Sequence, residues 1–500
     1  MDALAQLGTN LATGFGIALT PHALLFGFLG VTIGTAIGVL PGIGPALTIS
    51  LLLPLTYGLD PTTAFIMFGG IYYGAMYGGS TTSILVDLPG EAASVVTTLD
   101  GFQTAKQGRG GAALASAAIG SFIAGTFATA MLMLLAPLLV RFALGFGPPE
   151  YFALMVLALT TVASLSTSSP AQTLFAAFLG LGIGTIGIDL QTGQARFTFG
   201  IPQLLGGIDV VIAAIGFFAI GEILWMAATL KYTEEESVRH RGPARMTRDE
   251  WRRSLPAWLR GTVVGFFVGV LPGAGATLAT FLSYDVERRS SKTPEKFGKG
   301  MIEGVAGPEA ANNAAAGGSM VPLLALGIPG SGTTAVMLAA FQLYGLRPGP
   351  LLFTQNADLV WGLIASLYIS NALLLLLNLP LIGVWTRLLD VPKPLLMAAV
   401  LVFSMLGAYA VNNSVFDLVV IFVLGVISFF MRRHDFPIAP AIVGIVLGPL
   451  IEQEFRRSLA ISVGDPGIFV MRPVSAVILL AAAFALVWPM LKRLGKNPVQ

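Results

Sequence analysis

Five hundred residues could hold three or four average soluble domains, yet charged residues make only 11% of this chain and hydrophobic ones 55%. Sixty glycines and thirty prolines on that background are too apolar for disorder and too glycine-rich for a soluble core, which leaves a polytopic membrane protein with many interrupted helices. A net charge of +2 argues against nucleic-acid binding, zero cysteines remove disulfides and thiol chemistry, and three histidines leave little for a metal site.

Taken in order, residues 1–20 are mildly amphipathic and read as an interfacial helix. The first Lys or Arg is Lys106, so no positive n-region and no cleavable signal peptide is expected. A hairpin around Pro41 follows, then a span over 61–77, a hairpin around Pro89, and spans over 111–139, 150–166, 171–188 and 209–230. A basic connector, 231–260, ends in an interfacial helix carrying Trp251 and Trp258. Then come a hairpin around Pro272, a span over 295–316, a hairpin around Pro329, and spans over 358–384, 395–411, 417–431 and 438–451. A last span, 474–491, leads to a cytoplasmic tail, 492–500. The fold expected is all-α: about eleven spans plus four re-entrant or broken helical hairpins.

The chain repeats itself. Gly38–Gly44 (GVLPGIG) returns as Gly269–Gly275 (GVLPGAG), Gly78-Gly79-Ser80 as Gly317-Gly318-Ser319, and Pro89-Gly90 as Pro329-Gly330. Phe102-Gln103 returns as Phe341-Gln342, and the offset widens slowly, as small loop insertions would make it. Repeat one is expected over 21–230 and repeat two over 261–491. Matching loops differ in charge. Pro54–Pro61 carries no base, whereas Tyr284–Gly300 carries Arg288, Arg289, Lys292, Lys296 and Lys299. Basic loops stay cytoplasmic, so the repeats are expected to be inverted, as in many secondary transporters.

The Pro-Gly segments read as hairpin tips meeting near the midplane. Broken backbone at membrane depth is tolerated only inside protein or along a polar cavity. Half-helix N-termini there offer free N–H groups and positive dipole ends, an anion site built without Lys or Arg. Packing is the alternative use of such glycines. The expected substrate residues are Pro41, Gly42, Gly44, Gly79, Ser80, Thr81, Thr82, Pro89 and Gly90, with Gly273, Gly275, Gly318, Ser319, Pro329, Gly330, Ser331 and Thr333. Oxygen donors suit a hard cation. Asn312, Asn313, Ser80 and Ser319 are the expected cation ligands, and Glu91 or Glu309 could instead carry a proton. Ser and Thr hydroxyls can equally bond their own helix carbonyls. No zinc-protease, serine-hydrolase or phosphate-loop motif is present, so no cofactor is expected and any driving force comes from an ion gradient, Na⁺ or H⁺.

GVLPGIGP at 38–45, YYGAMYGGSTTSILVDLPGEAASVVTTLDG at 72–101, GVLPGAGATLATFLSY at 269–284 and EGVAGPEAANNAAAGGSMVPLLALGIPGSGTTAVML at 303–338 resemble the large permease subunit of the tripartite tricarboxylate transporters, the TctA type. SLAISVGDPGIFVMRPVSAVILL at 458–480 does so too. The resemblance implies a multi-pass symporter of the bacterial inner membrane. It implies a small four-helix membrane subunit and a periplasmic solute-binding protein that delivers a small carboxylate, with Na⁺ as coupling ion. An elevator-like displacement of the hairpin core is one way such a permease could work. A membrane-embedded enzyme on a lipid substrate and a passive anion channel are the competing classes.

Overall fold

The structure is a computed structural model and describes residues 2–40, 42–165, 169–189, 191–229 and 244–494. The expected connector therefore lies outside the described residues over 231–243, as does the end of the tail from 495. Apart from two two-residue strands, Gly187–Ile188 and Ala195–Arg196, paired antiparallel, the described regular structure is helical.

The first hairpin is Pro21–Val39 and Pro45–Thr56, each opened by a proline at its first turn, where no N–H partner is needed. Pro61–Val86 follows, capped by the Asp60 carboxylate on the Thr63 N–H, and it stops where Asp87 turns left-handed. A tip leads through Ala92–Ser94 into Val95–Thr104. The later half builds the same sequence of shapes. Arg248–Val270 and Gly275–Ser290 form a hairpin. Glu303–Leu326 ends at left-handed Gly327, and Gly332–Leu343 starts from a Ser331/Thr334 capping box.

Glycines at every fourth position bring these helices into backbone contact. A Cβ on Gly30, Gly34 or Gly38 would lie 2.3–2.4 Å from the carbonyl oxygen of Met67, Ile71 or Ala75. Gly261, Gly265 and Gly269 stand in the same way against Gly307, Ala311 and Ala315, at 2.2–2.4 Å. Any side chain there would force the pair apart, so each hairpin is bonded along its length to the broken helix beside it. The long helices then exchange partners. Gly110–Ala143, from the first half, packs along Glu303–Leu326, while Ala357–Asn378, from the second, packs along Pro61–Val86. Around this centre, Pro148–Leu165 and Pro170–Gly184 pack on Ala439–Ile461, and Val415–Arg433 packs on Val210–Thr229.

Among the described residues six stretches are long and apolar enough to cross a membrane: Pro21–Val39, Ala92–Ala143, Val210–Thr229, Ala357–Asn378, Lys393–Asn412 and Val415–Arg433. Lys393–Asn412 turns Leu395, Val402, Phe403 and Leu406 outward, as a lipid-facing helix should. By contrast Pro45–Thr56 and Gly332–Leu343 have 12 residues each, about 18 Å of helix, which is too short to cross about 30 Å of hydrocarbon.

Several boundaries differ from the sequence expectation. The first broken helix runs on to Val86 rather than 77, because the run from Gly78 to Ser83 is buried in protein and its hydroxyls find partners there. Residues 295–302 are not part of a span; the charged stretch forms turns and the helix begins at Glu303. The helix from Pro170 stops at Gly184, and the one from Ala439 extends past 451 to Ile461 with Glu452, Glu454, Arg456 and Arg457 on its last turns. The stretch read as an interfacial helix at the end of the connector is the start of Arg248–Val270 itself. Trp258 is buried there, its indole N–H on the Ser116 carbonyl at 3.1 Å. Arg260 pairs with Glu287 of the second arm at 2.5 Å, so the charged feet of this hairpin stand level with each other. Asp2–Ala18 packs along Ala357–Asn378, with Phe15 stacked on Tyr368 at 6.2 Å.

Candidate functional site

The four tips converge on one cavity of about 650 Å³. Its wall takes Gly42 and Gly44 from the first tip, Pro89 to Glu91 from the second, Gly273 and Gly275 from the third, and Ser331 and Thr333 from the fourth. The first two tips are tied directly, the Gly42 N–H donating to the Gly90 carbonyl at 3.3 Å. Gly42 (φ +84°) and Gly273 (φ +75°) hold backbone that other residues rarely adopt. The helices Pro45–Thr56 and Gly275–Ser290 begin at the cavity with no side-chain cap, so their first turns keep N–H groups available.

The wall also carries an arginine, which corrects the expectation of a site without Lys or Arg. Arg432, on the last turn of Val415–Arg433, pairs with Glu222 on Val210–Thr229, and both line the cavity. The Arg432 guanidinium also lies over the Trp225 ring at 4.9 Å. A Cβ on Gly42 would come within 2.8 Å of Glu222 Oε1, so the pair sits directly against the first tip. In the sequence 210 positions separate Arg432 from Glu222.

The other expected residues lie beside or beneath the cavity. Gly79 packs on the wall residue Gly90, and Gly330 packs on Ser319. Gly318 lies against the Phe266 carbonyl. Ser319 and Ser331 both bond the Tyr72 hydroxyl, each at 3.1 Å, and Tyr72 reaches the cavity wall. Thr82 donates to the Val39 carbonyl, and Thr81 is buried. Pro329 is not among the wall residues. Pro41 lies outside the described residues.

Of the expected cation ligands, Ser80 donates to the Glu309 carboxylate. Asn313 Nδ2 donates to Ser121 Oγ at 2.7 Å and to the Glu309 carbonyl at 3.2 Å. Asn312 Nδ2 donates to Glu91 Oε1 at 2.9 Å and to the Met76 carbonyl at 3.3 Å. Ser319 stands apart from these on Tyr72. Thr97, which sequence reading missed, also donates to Glu309. Another missed group, the buried Asp100 carboxylate, accepts from the Gly300 and Met301 N–H groups at 2.8 and 2.7 Å and from the Tyr284 hydroxyl at 2.9 Å. It ties the end of the second tip segment to the foot of the third hairpin.

The pattern of the tripartite tricarboxylate transporter TctA family matches residues 24–443. The chain belongs to that family. It is also 48% identical, over 481 residues and 95% of each chain, to an uncharacterized 52.8 kDa protein in the TAR-I ttuC′ 3′ region of Agrobacterium vitis. A protein in the TAR-II ttuC′ 3′ region of the same organism is 48% identical over 215 residues, 43% of this chain and 89% of its own length. No solved structure matches. TctA proteins are membrane components of tripartite transport systems, so this multi-pass chain is a transport protein that works with other subunits. The cavity is where the four Pro-Gly segments come together in this TctA chain.

Proposed function

We propose that this chain is the Na⁺-coupled permease of a tripartite uptake system for small di- or tricarboxylates in a bacterial inner membrane. A periplasmic binding protein delivers the substrate, and a small four-helix membrane subunit completes the complex. The observation that carries the reading is the cavity itself, with uncapped helix N-termini and Arg432 on its wall. A carboxylate gains from both: N–H dipoles favour negative charge, and a guanidinium matches its two oxygens. Substrates with two or three charges exceed what one arginine, already shared with Glu222, can balance. A buried surplus of negative charge is prohibitive, so cations travel with the substrate. Uptake into proteoliposomes carrying the permease and its partner subunits tests this. Carboxylate should accumulate only with an inward Na⁺ gradient, and accumulation that ignores Na⁺ would refute the coupling.

The two halves act as inverted repeats, 21–230 and 261–491, joined by the connector over 231–260. The reciprocal packing of Gly110–Ala143 and Ala357–Asn378 on the opposite broken helices supports this, as does the charge contrast of matching loops. The glycine-bonded hairpins and broken helices form the body that an elevator-like step would displace. Gly58 and Ser290 are both exposed at hairpin ends. The chain has no cysteine, so single ones can be added cleanly. In intact cells an impermeant thiol reagent should label Gly58→Cys and spare Ser290→Cys. Equal labelling of the two would end the inverted arrangement.

A further inference from the structure

Glu309 is fully buried on the second turn of Glu303–Leu326, and both its carboxyl oxygens are in hydrogen bonds. Ser80 donates to one and Thr97 to the other, so two elements of the first half close on one acid of the second. Hydroxyls from two elements thus frame the acid, one at each carboxyl oxygen. Yet among the described residues no lysine, arginine or histidine pairs with it. A buried carboxyl with no positive partner takes up either a proton or a cation, and its surroundings decide which it can hold.

Two orphaned oxygens adjoin this group. Asn312 Oδ1, one helical turn from Glu309, and the Tyr77 hydroxyl, one turn from Ser80, are both buried without a hydrogen-bond partner. Residues three apart lie on one helix face, so the orphans share the faces that carry Glu309 and Ser80. The Asn312 amide nitrogen is spent on Glu91 Oε1, at 2.9 Å, and Glu91 lines the cavity. A carboxylate, two hydroxyls and an unpartnered amide oxygen make an all-oxygen set, the chemistry that suits a hard cation.

We propose that Glu309, Ser80, Thr97 and the Asn312 amide oxygen hold a Na⁺ ion directly beneath the substrate cavity, with Asn312 relaying its occupancy to Glu91 on the cavity wall. The site rests on the coupled-uptake reading and gives that reading its ion. Because the ligands come from both halves, the ion also clamps Pro61–Val86 and Val95–Thr104 onto Glu303–Leu326.

The test uses the purified full-length permease and Na⁺ alone, followed by uptake in the reconstituted complex. NaCl should raise the thermal unfolding temperature of the wild type saturably, and choline chloride should not. Glu309→Gln should lose that response. Thr97→Val, a gentler change that keeps the side-chain shape, should raise the half-saturating Na⁺ concentration by about tenfold, the order expected for one lost bond to a charged group. It should raise the Na⁺ needed for half-maximal uptake by a similar factor. An unchanged Na⁺ requirement in Thr97→Val, while wild-type uptake depends on Na⁺, overturns the site and leaves coupled uptake standing. Wild-type uptake that follows pH and ignores Na⁺ overturns both the site as a Na⁺ site and the coupling assigned above.

Discussion

Gly273→Val should abolish uptake while the protein still reaches the membrane at normal levels. Two independent costs meet at this position. The backbone sits at φ +75°, where any L side chain pays about 1–2 kcal/mol and a β-branched one more. The added Cβ would also stand 1.8 Å from Val162 Cγ2 and 3.0 Å from Val162 Cα, so the tip must move away from Pro148–Leu165. The glycine contacts that hold the hairpin to Glu303–Leu326 lie further down its length and are untouched, which is why assembly should survive. Two comparisons separate the causes. Gly275 has φ +66° but open space around its Cβ position, so Gly275→Ala pays strain alone and should retain part of the activity. Gly44 has an ordinary φ and nothing within 4 Å. Gly44→Leu therefore costs little stability but projects into the cavity, and it should weaken uptake while leaving the unfolding temperature unchanged. Normal uptake by Gly273→Val and Gly44→Leu together would mean that the tips are mere linkers.

The tips were readable in the sequence because Pro and Gly do there what few other residues can: they break a helix and turn the chain back between two helices. The duplicated pattern placed all four, and the cavity uses residues from each. Glycine was less readable where its purpose is contact. Gly79, Gly318 and Gly330 have the same surroundings in sequence as the wall glycines, but they serve close packing. Only the partner backbone distinguishes the two uses, and a partner is invisible in one strand of sequence. The chemistry was hardest to read where it joins distant elements. Ser80 meets Glu309 across 229 positions and Thr97 meets it across 212. Glu222 sits in an apolar helix with no motif around it, and Arg432 stands beside Arg433 and His434 like any basic helix end. A positive-inside count places such residues on a side of the membrane; it does not reveal that one of them reaches a cavity between four hairpins.

Arg432→Gln should raise the substrate concentration for half-maximal uptake by about 10- to 100-fold, the order of one charge-assisted, bidentate contact. The pairing with Glu222 makes the reason for that loss testable. With no substrate present, Glu222 neutralises the guanidinium, and the cavity carries no net charge from the pair. On the proposed reading an entering carboxylate would compete for the same guanidinium, and Glu222 would set the cost of access. Glu222→Gln alone should therefore tighten substrate binding, because the competing anion is gone while Arg432 keeps its place over Trp225. Arg432→Gln alone carries a second penalty, an acid left without its partner, and loses some thermal stability for that reason. The double variant Arg432→Gln with Glu222→Gln removes the stranded charge. Its unfolding temperature should return toward that of the wild type, but its uptake should stay as weak as in Arg432→Gln. If the double variant regains both stability and uptake, the pair is a structural brace between Val210–Thr229 and Val415–Arg433, and the carboxylate is held by the helix N-termini of the tips without the arginine.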